Sequence, residues 1–566
     1  MQGARAEFAS IVRIVRIVRI VRIVRIVPNP AHCPFKTQPR LHTCSLCLRT
    51  SRTCDYAVTP KPPPTAADLA TLQARLTELE ERLSSASEPD SLSTTAGVSG
   101  TNSLDTESIA PNREPTSFPS ALFLDIDCYK WSNMQLPRPA ASIPMDILNI
   151  LNQRNFILET TSLYFDTIHP WMPIISKKRL DLGISLKDGG PDIALLFLGM
   201  KLNTLPPPPG SEIYDAIYSS AKNFLVTLEA SGVVSLVYLQ AMTLIAVYEY
   251  SHSIYPAAWM TVGACARLAE LLGISPGKDM MKIMSPVTTW TELEERRRVW
   301  WAIYILDRTI SLGSRRRFCL PDPADTDVLP VDDDAWDLGD VANIIHYPVT
   351  TPFFTPISPF SRLCQSAMFI SRAAVFRSDS QTGLADHITA VVSLTEDLTT
   401  FSSILAEEMD SSSPNGYLRL LAPQCLTWSA LFLLLDNYCC PEKLSNEPGY
   451  TTSGDVKGPD ELAAQIQATL IVRSISDQAH RTTTKVMDIT SNLLLNDQMG
   501  KLSPFLLDAL YCSMVTFQWV YREGCDEEAK GRLADIEACM GRLSGRWKLA
   551  SEYLTLNGIY RHGGNT

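Results

Sequence analysis

Residues 294–330 read EERRRVWWAIYILDRTISLGSRRRFCLPDPADTDVLP, and the first half of this stretch decides the fold class. Val299, Trp300, Ile303, Leu306 and Ile310 recur at helical spacing and form a wide apolar stripe, so Glu292–Leu312 is expected to be a helix central to the core. Arg296, Arg297 and Arg298 fall near its start, where cations gain nothing from the helix dipole. They are expected to pair with acids elsewhere, such as the Asp332–Asp334 run; the alternative is an anion or effector site. Asp307 and Arg308 read as an internal ion-pair element rather than as catalytic groups.

The pattern continues on both sides. Ile147–Phe165, Ser235–Tyr250, Ala257–Leu272 and Leu418–Leu435 read as amphipathic helices, and Leu533, Ile536, Met540, Leu543, Trp547 and Leu554 share one face of a closing helix. Strand-like alternation is scarce. PPPPG after Leu205 and NEPGY before Thr451 mark loops. Residues 121–555 are therefore expected to form one large all-α body. No run of about 20 apolar residues interrupts it, so no membrane span is expected.

At 566 residues the chain exceeds one compact core, and appended modules are expected. Its net charge is −11, unevenly distributed: Met1–Lys61 carries eleven Lys/Arg against Glu7 and Asp55, leaving −20 on the remainder. A basic head on an acidic body suits a small nucleic-acid-binding module joined to a regulatory domain. Of fourteen cysteines, ten scatter between Cys128 and Cys539. Cys265, Cys425 and Cys512 sit in apolar runs, where a free thiol acts as a small hydrophobe. No disulfide framework is indicated, which suits a reducing compartment.

Residues 1–32 hold the repeat IVRIVRIVRIVRIVRIV (Ile11–Val27). Its period of three suits neither an α-helix, on which the arginines drift by about 60° per step, nor a strand, on which they alternate faces. It reads as a translated nucleotide repeat or a mis-assigned start rather than as a targeting segment. Residues 33–60 are cysteine-rich and basic, and residues 61–84 open on Pro62, Pro63 and Pro64. There Leu69, Leu72, Leu76, Leu79 and Leu83 recur at steps of three and four, an a/d seam for a short dimerising coiled coil or else an amphipathic surface helix. Residues 85–120 shift to Ser, Thr, Pro and acids, the composition of a flexible linker.

Cys44, Cys47 and Cys54 form C-x2-C-x6-C, a spacing that lets three thiolates converge on one metal ion. Three ligands do not close a structural zinc site. Cys33 or His42 could complete a mononuclear one. Arg49 and Arg52 lie within the motif and read as phosphate contacts, which add affinity but little sequence information.

The stretch CSLCLRTSRTCDY, with the Pro-rich linker and leucine heptad behind it, resembles the second half of the fungal binuclear zinc cluster. The resemblance implies that Cys44, Cys47 and Cys54 are the fourth, fifth and sixth ligands of a two-zinc site, with Cys44 bridging and Tyr56 the aromatic that follows. Where that family carries its first three cysteines, this sequence has the IVR repeat and a lone Cys33. In the body, YFDTIHPWMPIISKKRL (Tyr164–Leu180), AWMTVGACARLAELLGI (Ala258–Ile274) and the 294–330 stretch resemble the fungal-specific transcription factor domain, and LSGRWKLASEYL its closing helix. His169 before Pro170 reads as a satisfied structural histidine rather than a metal ligand.

The resemblance implies a nuclear, sequence-specific regulator of RNA polymerase II genes, binding DNA at CGG-type triplets as a homodimer. It also implies coactivator contacts and an unidentified small-molecule effector, with control of a secondary-metabolite cluster as the favoured pathway role. The alternative is a regulator that does not bind DNA and acts by dimerisation or effector binding. An enzyme is not expected: G-x-S-x-G, H-E-x-x-H and phosphate-cradling glycine motifs are absent, and the eight histidines are widely spaced.

Overall fold

A computed structural model describes residues 118–132, 141–181, 190–204, 213–275, 289–314, 316–340, 344–376, 384–439, 459–493 and 498–562. The described residues contain eighteen α-helices and one 3₁₀ turn, and their only β pairing is an isolated bridge between Val328 and Pro348. The all-α reading holds.

The helices are α1 Ala121–Leu124, α2 Ile126–Trp131, α3 Met145–Leu151, α4 Phe156–Thr167, α5 Lys177–Asp181 and α6 Pro191–Thr204. Then come α7 Ile213–Ala230, α8 Leu236–Ser251, α9 Ala257–Leu271, α10 Trp290–Ser311, α11 Asp333–Leu338 and α12 Pro359–Val375. The last six are α13 Leu384–Ser411, α14 Pro414–Cys439, α15 Pro459–Leu493, α16 Leu506–Gly524, α17 Glu527–Leu543 and α18 Lys548–His562. Helix α8 packs on α6, α9 and α10; α10 leads through α12 to α14, and α14 is surrounded by α12, α13, α15 and α16.

Local chemistry sets the starts. Ser235 caps α8 by accepting from the Tyr238 N–H, Thr289 caps α10, and Ser358 caps α12 with Pro359 in the first turn. Asp526 caps α17 through the Glu528 and Ala529 N–H groups.

Three expectations need correction. Ile147–Phe165 is two helices, because Asn155 takes a left-handed φ of 60° and the polar run Asn152–Asn155 turns the chain; Asn is among the few residues that tolerate this region. The closing face is likewise divided between α17 and α18 by the turn Ser544–Trp547, where Trp547 stays buried. Helix α8 and the centre of α14 are not amphipathic: they are buried on nearly every side. Pro414–Asp436 is long and apolar enough to cross a membrane although polar residues interrupt it, and 89% of its most apolar 18 residues are buried inside the protein.

Helices α6 and α8 approach closely at Gly199, where an added Cβ would stand 3.2 Å from Leu244 Cβ and 3.4 Å from the Ala241 carbonyl. Asn203 fastens the same crossing, donating to the Gly199 and Leu244 carbonyls at 2.8 Å each. Gly199→Val should therefore cost about 1–3 kcal/mol through overpacking. An unchanged denaturant midpoint would show that the two helices separate freely.

Candidate functional site

Helix α10 carries the densest set of functional-looking side chains, and nearly all are buried. Arg298 is fully buried: Nε donates to Glu294 at 3.0 Å, Nη1 to Asp333 at 2.8 Å and Nη2 to the Val331 carbonyl at 2.7 Å. Its guanidinium lies 4.3 Å from the Trp336 ring centroid. Burial alone would lower its pKa, but Asp333 and Glu294 outweigh burial and raise it. Glu294 also accepts from the Val331 N–H at 2.9 Å and from Arg297, and Asp333 accepts from Arg419 at 3.0 Å. Arg298 thus joins α10 to Val331 and to Asp333 at the start of α11, and Arg419 of α14 closes on the same Asp333.

One turn away, buried Glu295 faces the opposite neighbours. It accepts from the Ser176 N–H at 2.9 Å, from Gln240 Nε2 at 3.0 Å and from Arg179. Near the other end, Arg308 donates to Ser371 Oγ, Asp307, Asp322 and the Leu320 carbonyl, each at 2.9 Å. Burial pushes the Asp307 carboxyl above its ordinary value, against the Leu320 and Cys319 N–H groups and Arg308, which hold it down. Asp307 and Arg308 are the internal ion pair that the sequence suggested.

Arg296 pairs with Glu292 at 2.5 Å and Arg297 with Glu294. Only Arg298 reaches the acidic run at 332–334; much of the pairing is with acids three or four residues earlier on the same helix. That spacing was available in the letters ELEERRR, since residues four apart share a helix face. The arginines are engaged with carboxylates, which removes the case for an anion site there. A separate pocket of charge, missed in the sequence, surrounds buried Glu249, which accepts from Tyr218 at 2.7 Å and Lys222 at 2.6 Å.

A cleft of about 240 Å³ opens beside the Arg298 network. His169, Asp337, Asp166, Lys501 and Arg419 line it. His169 Nε2 meets Asp337 at 2.9 Å and its ring stacks on Trp336, while Nδ1 is buried with no hydrogen-bond partner. The expected satisfied histidine is thus satisfied on one nitrogen. Burial alone would raise the Asp337 carboxyl, but the His169 hydrogen bond and charge, with Arg298 and Arg419, hold it below its usual range. Lys501 pairs with Asp166 at 3.1 Å. The cleft's charges therefore answer one another, which favours holding helices together over binding one strongly charged ligand.

Among the described residues, no group of three or more His, Cys, Asp or Glu side chains is placed to hold a metal ion. Burial pushes the Cys265 thiol up to about 12 and raises Cys425 as well, so both stay neutral and pack as hydrophobes. Cys33, Cys44, Cys47, Cys54, Arg49, Arg52 and the Leu69–Leu83 heptad lie outside the described residues.

These features define an all-helical body whose charged groups organise its core. Residues 193–429 match the fungal specific transcription factor domain. The transcription factor BOA15 of Botryotinia fuckeliana is 38% identical over 180 residues, covering 31% of this chain and 98% of the relative. The pigment biosynthesis transcriptional activator pigB of Monascus ruber is 31% identical over 193 residues, covering 32% and 34%. The azaphilone cluster-specific transcription factor azaR of Aspergillus niger is 25% identical over 260 residues, covering 43% and 53%. The chain thus spans nearly all of the first relative, but a third to a half of the other two. It belongs to the family of fungal transcription factors that carry this domain. That is a family of transcription factors and not of enzymes.

Proposed function

We propose that the protein is a nuclear, pathway-specific regulator of RNA polymerase II transcription that controls a secondary-metabolite gene cluster. The observation that carries this reading is the domain match over residues 193–429, together with relatives named for pigment and azaphilone pathways. Removing the gene from its fungus should reduce transcripts of one contiguous set of biosynthetic genes by about ten-fold or more, equivalent to about 1.4 kcal/mol in an equilibrium. Transcripts that stay level, or that change only at scattered loci, would refute the pathway-specific reading.

The route to DNA has two readings. In the first, a dimer held by Leu69, Leu72, Leu76, Leu79 and Leu83 binds CGG-type triplets through a zinc cluster, with Arg49 and Arg52 on phosphates. The donor set argues for the second. Cys44, Cys47 and Cys54 supply three thiolates where a two-zinc cluster needs six, and even with Cys33 the set reaches one four-ligand site. The residues do not fit the cluster, so no DNA-reading step is assigned to it. The chain then acts by dimerising with a partner that carries a complete module, or through a bound effector. Full-length protein should show no salt-resistant preference for a CGG duplex over a scrambled one at about 0.15 M salt, where phosphate contacts alone are weak. Selective binding that a zinc chelator abolishes would restore the first reading.

A further inference from the structure

Two short helices at the start of the body, α1 and α2, display large apolar side chains to solvent. Phe123 is 70% exposed, Leu124 82% and Trp131 84%, while Leu122 and Tyr129 on the same two helices are buried. The display is built rather than frayed. Asp125 separates the helices and its Oδ1 accepts the Asp127 and Cys128 N–H groups at 3.1 and 3.0 Å, which caps α2. Ser132 Oγ returns a bond to the Cys128 carbonyl at 2.6 Å at the other end. Phe118 sits next to Phe123, ring centroids 6.0 Å apart, and reaches Gly232 just beyond α7.

Single exposed apolar residues are common and need no explanation. Here three large ones lie within nine residues of chain on α1 and α2, together with Asp125 and Asp127, both exposed. The sequence before them adds to the charge: between Ser84 and Trp131 there are seven acids, Glu88, Asp90, Asp105, Glu107, Glu114, Asp125 and Asp127, against Arg113 and Lys130. Charge selects the occupant. A second copy would bring a body that is itself strongly acidic, and nucleic acid or an anionic membrane would repel the carboxylates. A basic-rimmed apolar groove on another protein fits both halves of the pattern. Aromatic anchors buried in such a groove hold it, and the acids steer and orient the encounter.

We propose that Phe123, Leu124 and Trp131, framed by Asp125 and Asp127, form an activation surface that docks into a basic-rimmed hydrophobic groove of a transcriptional coactivator. The proposal rests on the reading of the chain as a transcription regulator, but not on its own DNA-binding module or its target genes.

The test tethers the full chain to a foreign DNA-binding domain upstream of a reporter in fungal cells, which bypasses residues 1–60. Reporter output should rise on tethering. It should fall about ten-fold or more in the Phe123→Ala, Leu124→Ala, Trp131→Ala triple variant, as expected when anchor side chains are truncated. Because these side chains are solvent-exposed, the thermal midpoint of the purified triple variant should match the parent. A Phe123→Tyr, Trp131→Phe variant, which keeps the aromatic faces, should retain output. No activation by the tethered parent, full activity in the triple variant, or equal loss in the conservative variant would each overturn the proposal. The gene-removal and duplex-binding experiments can fail without affecting this outcome, because tethering supplies both promoter and DNA contact.

Discussion

Replacing Arg298 by alanine is expected to destabilise the protein by about 3–5 kcal/mol, the cost of leaving buried charge without its partner. Against a typical domain stability of about 5–15 kcal/mol this is a large fraction. The side chain is fully buried, and its three nitrogens donate to Glu294, Asp333 and the Val331 carbonyl. Truncation removes the donor set and the packing on Trp336, and strands two carboxylates that water cannot reach. Glu294 retains Arg297 and Asp333 retains Arg419, which keeps the loss finite. Denaturant unfolding of the variant should show the drop, and the Arg298→Ala, Glu294→Ala pair should lose less than the two single losses combined, because the second change removes a stranded charge. Arg267 supplies the contrast. Its pair with Glu270 is 3.3 Å apart but 85% and 55% exposed, so Arg267→Ala should change stability little. Equal losses at Arg298 and Arg267 would mean that the buried lattice does not organise the body.

The sequence carried the helical body well because the signal is redundant. In α10 the stripe Val299, Trp300, Ile303, Leu306 and Ile310 placed the helix to within two residues at its start, and one at its end. Where the reading failed, the reason was local or all-round burial. The left-handed Asn155 and the turn at Ser544–Trp547 each divide a face that continues across them, so periodicity alone joined the halves. In α8, apolar residues occupy every side, and no preferred face exists to find. The polar network was half legible. Arginine three or four residues after glutamate is a same-face pair visible in the letters. The closure from Arg298 to Asp333 was anticipated as a pairing with the Asp332–Asp334 run, whereas those from Glu295 to Ser176 and Arg308 to Asp322 depend on how loops return to α10, and no spacing in the sequence encodes that. The exposed trio on α1 and α2 was invisible for the opposite reason: a Phe or Trp in a helix is expected inside, and only its exposure in the fold makes it a surface.

A second large effect is expected from pH, at His252. The residue follows α8, where the helix dipole would favour a charged imidazole. Burial opposes that charge, Arg546 and Lys548 repel it, and together they bring the imidazole down from 6.5 to about 4. Arg546 cannot easily swing away: Nη2 donates to the Asn203 and Gly500 carbonyls at 3.3 Å each, joining the α17–α18 turn to the end of α6 and the 3₁₀ turn. The sign follows from the order of the two values. Above pH 6.5 His252 is neutral in both folded and unfolded chains, and its contribution is fully present. As pH falls below 6.5 the unfolded chain takes up a proton that the native site refuses, so stability drops until about pH 4, where the native site protonates as well. The total is about 3 kcal/mol for this single group. Carboxylates begin to protonate in the unfolded chain at the acid end of the same range, Asp337 among them, so the decisive measurement is a difference. Urea unfolding of the parent and of His252→Gln should give curves that converge by about 3 kcal/mol between pH 7.5 and 4, the parent losing more. Parallel curves would place His252 in contact with water. Convergence that shrinks in a Lys548→Gln background would show that Lys548 contributes to the repulsion beside Arg546, because relieving it lets the native site accept its proton earlier.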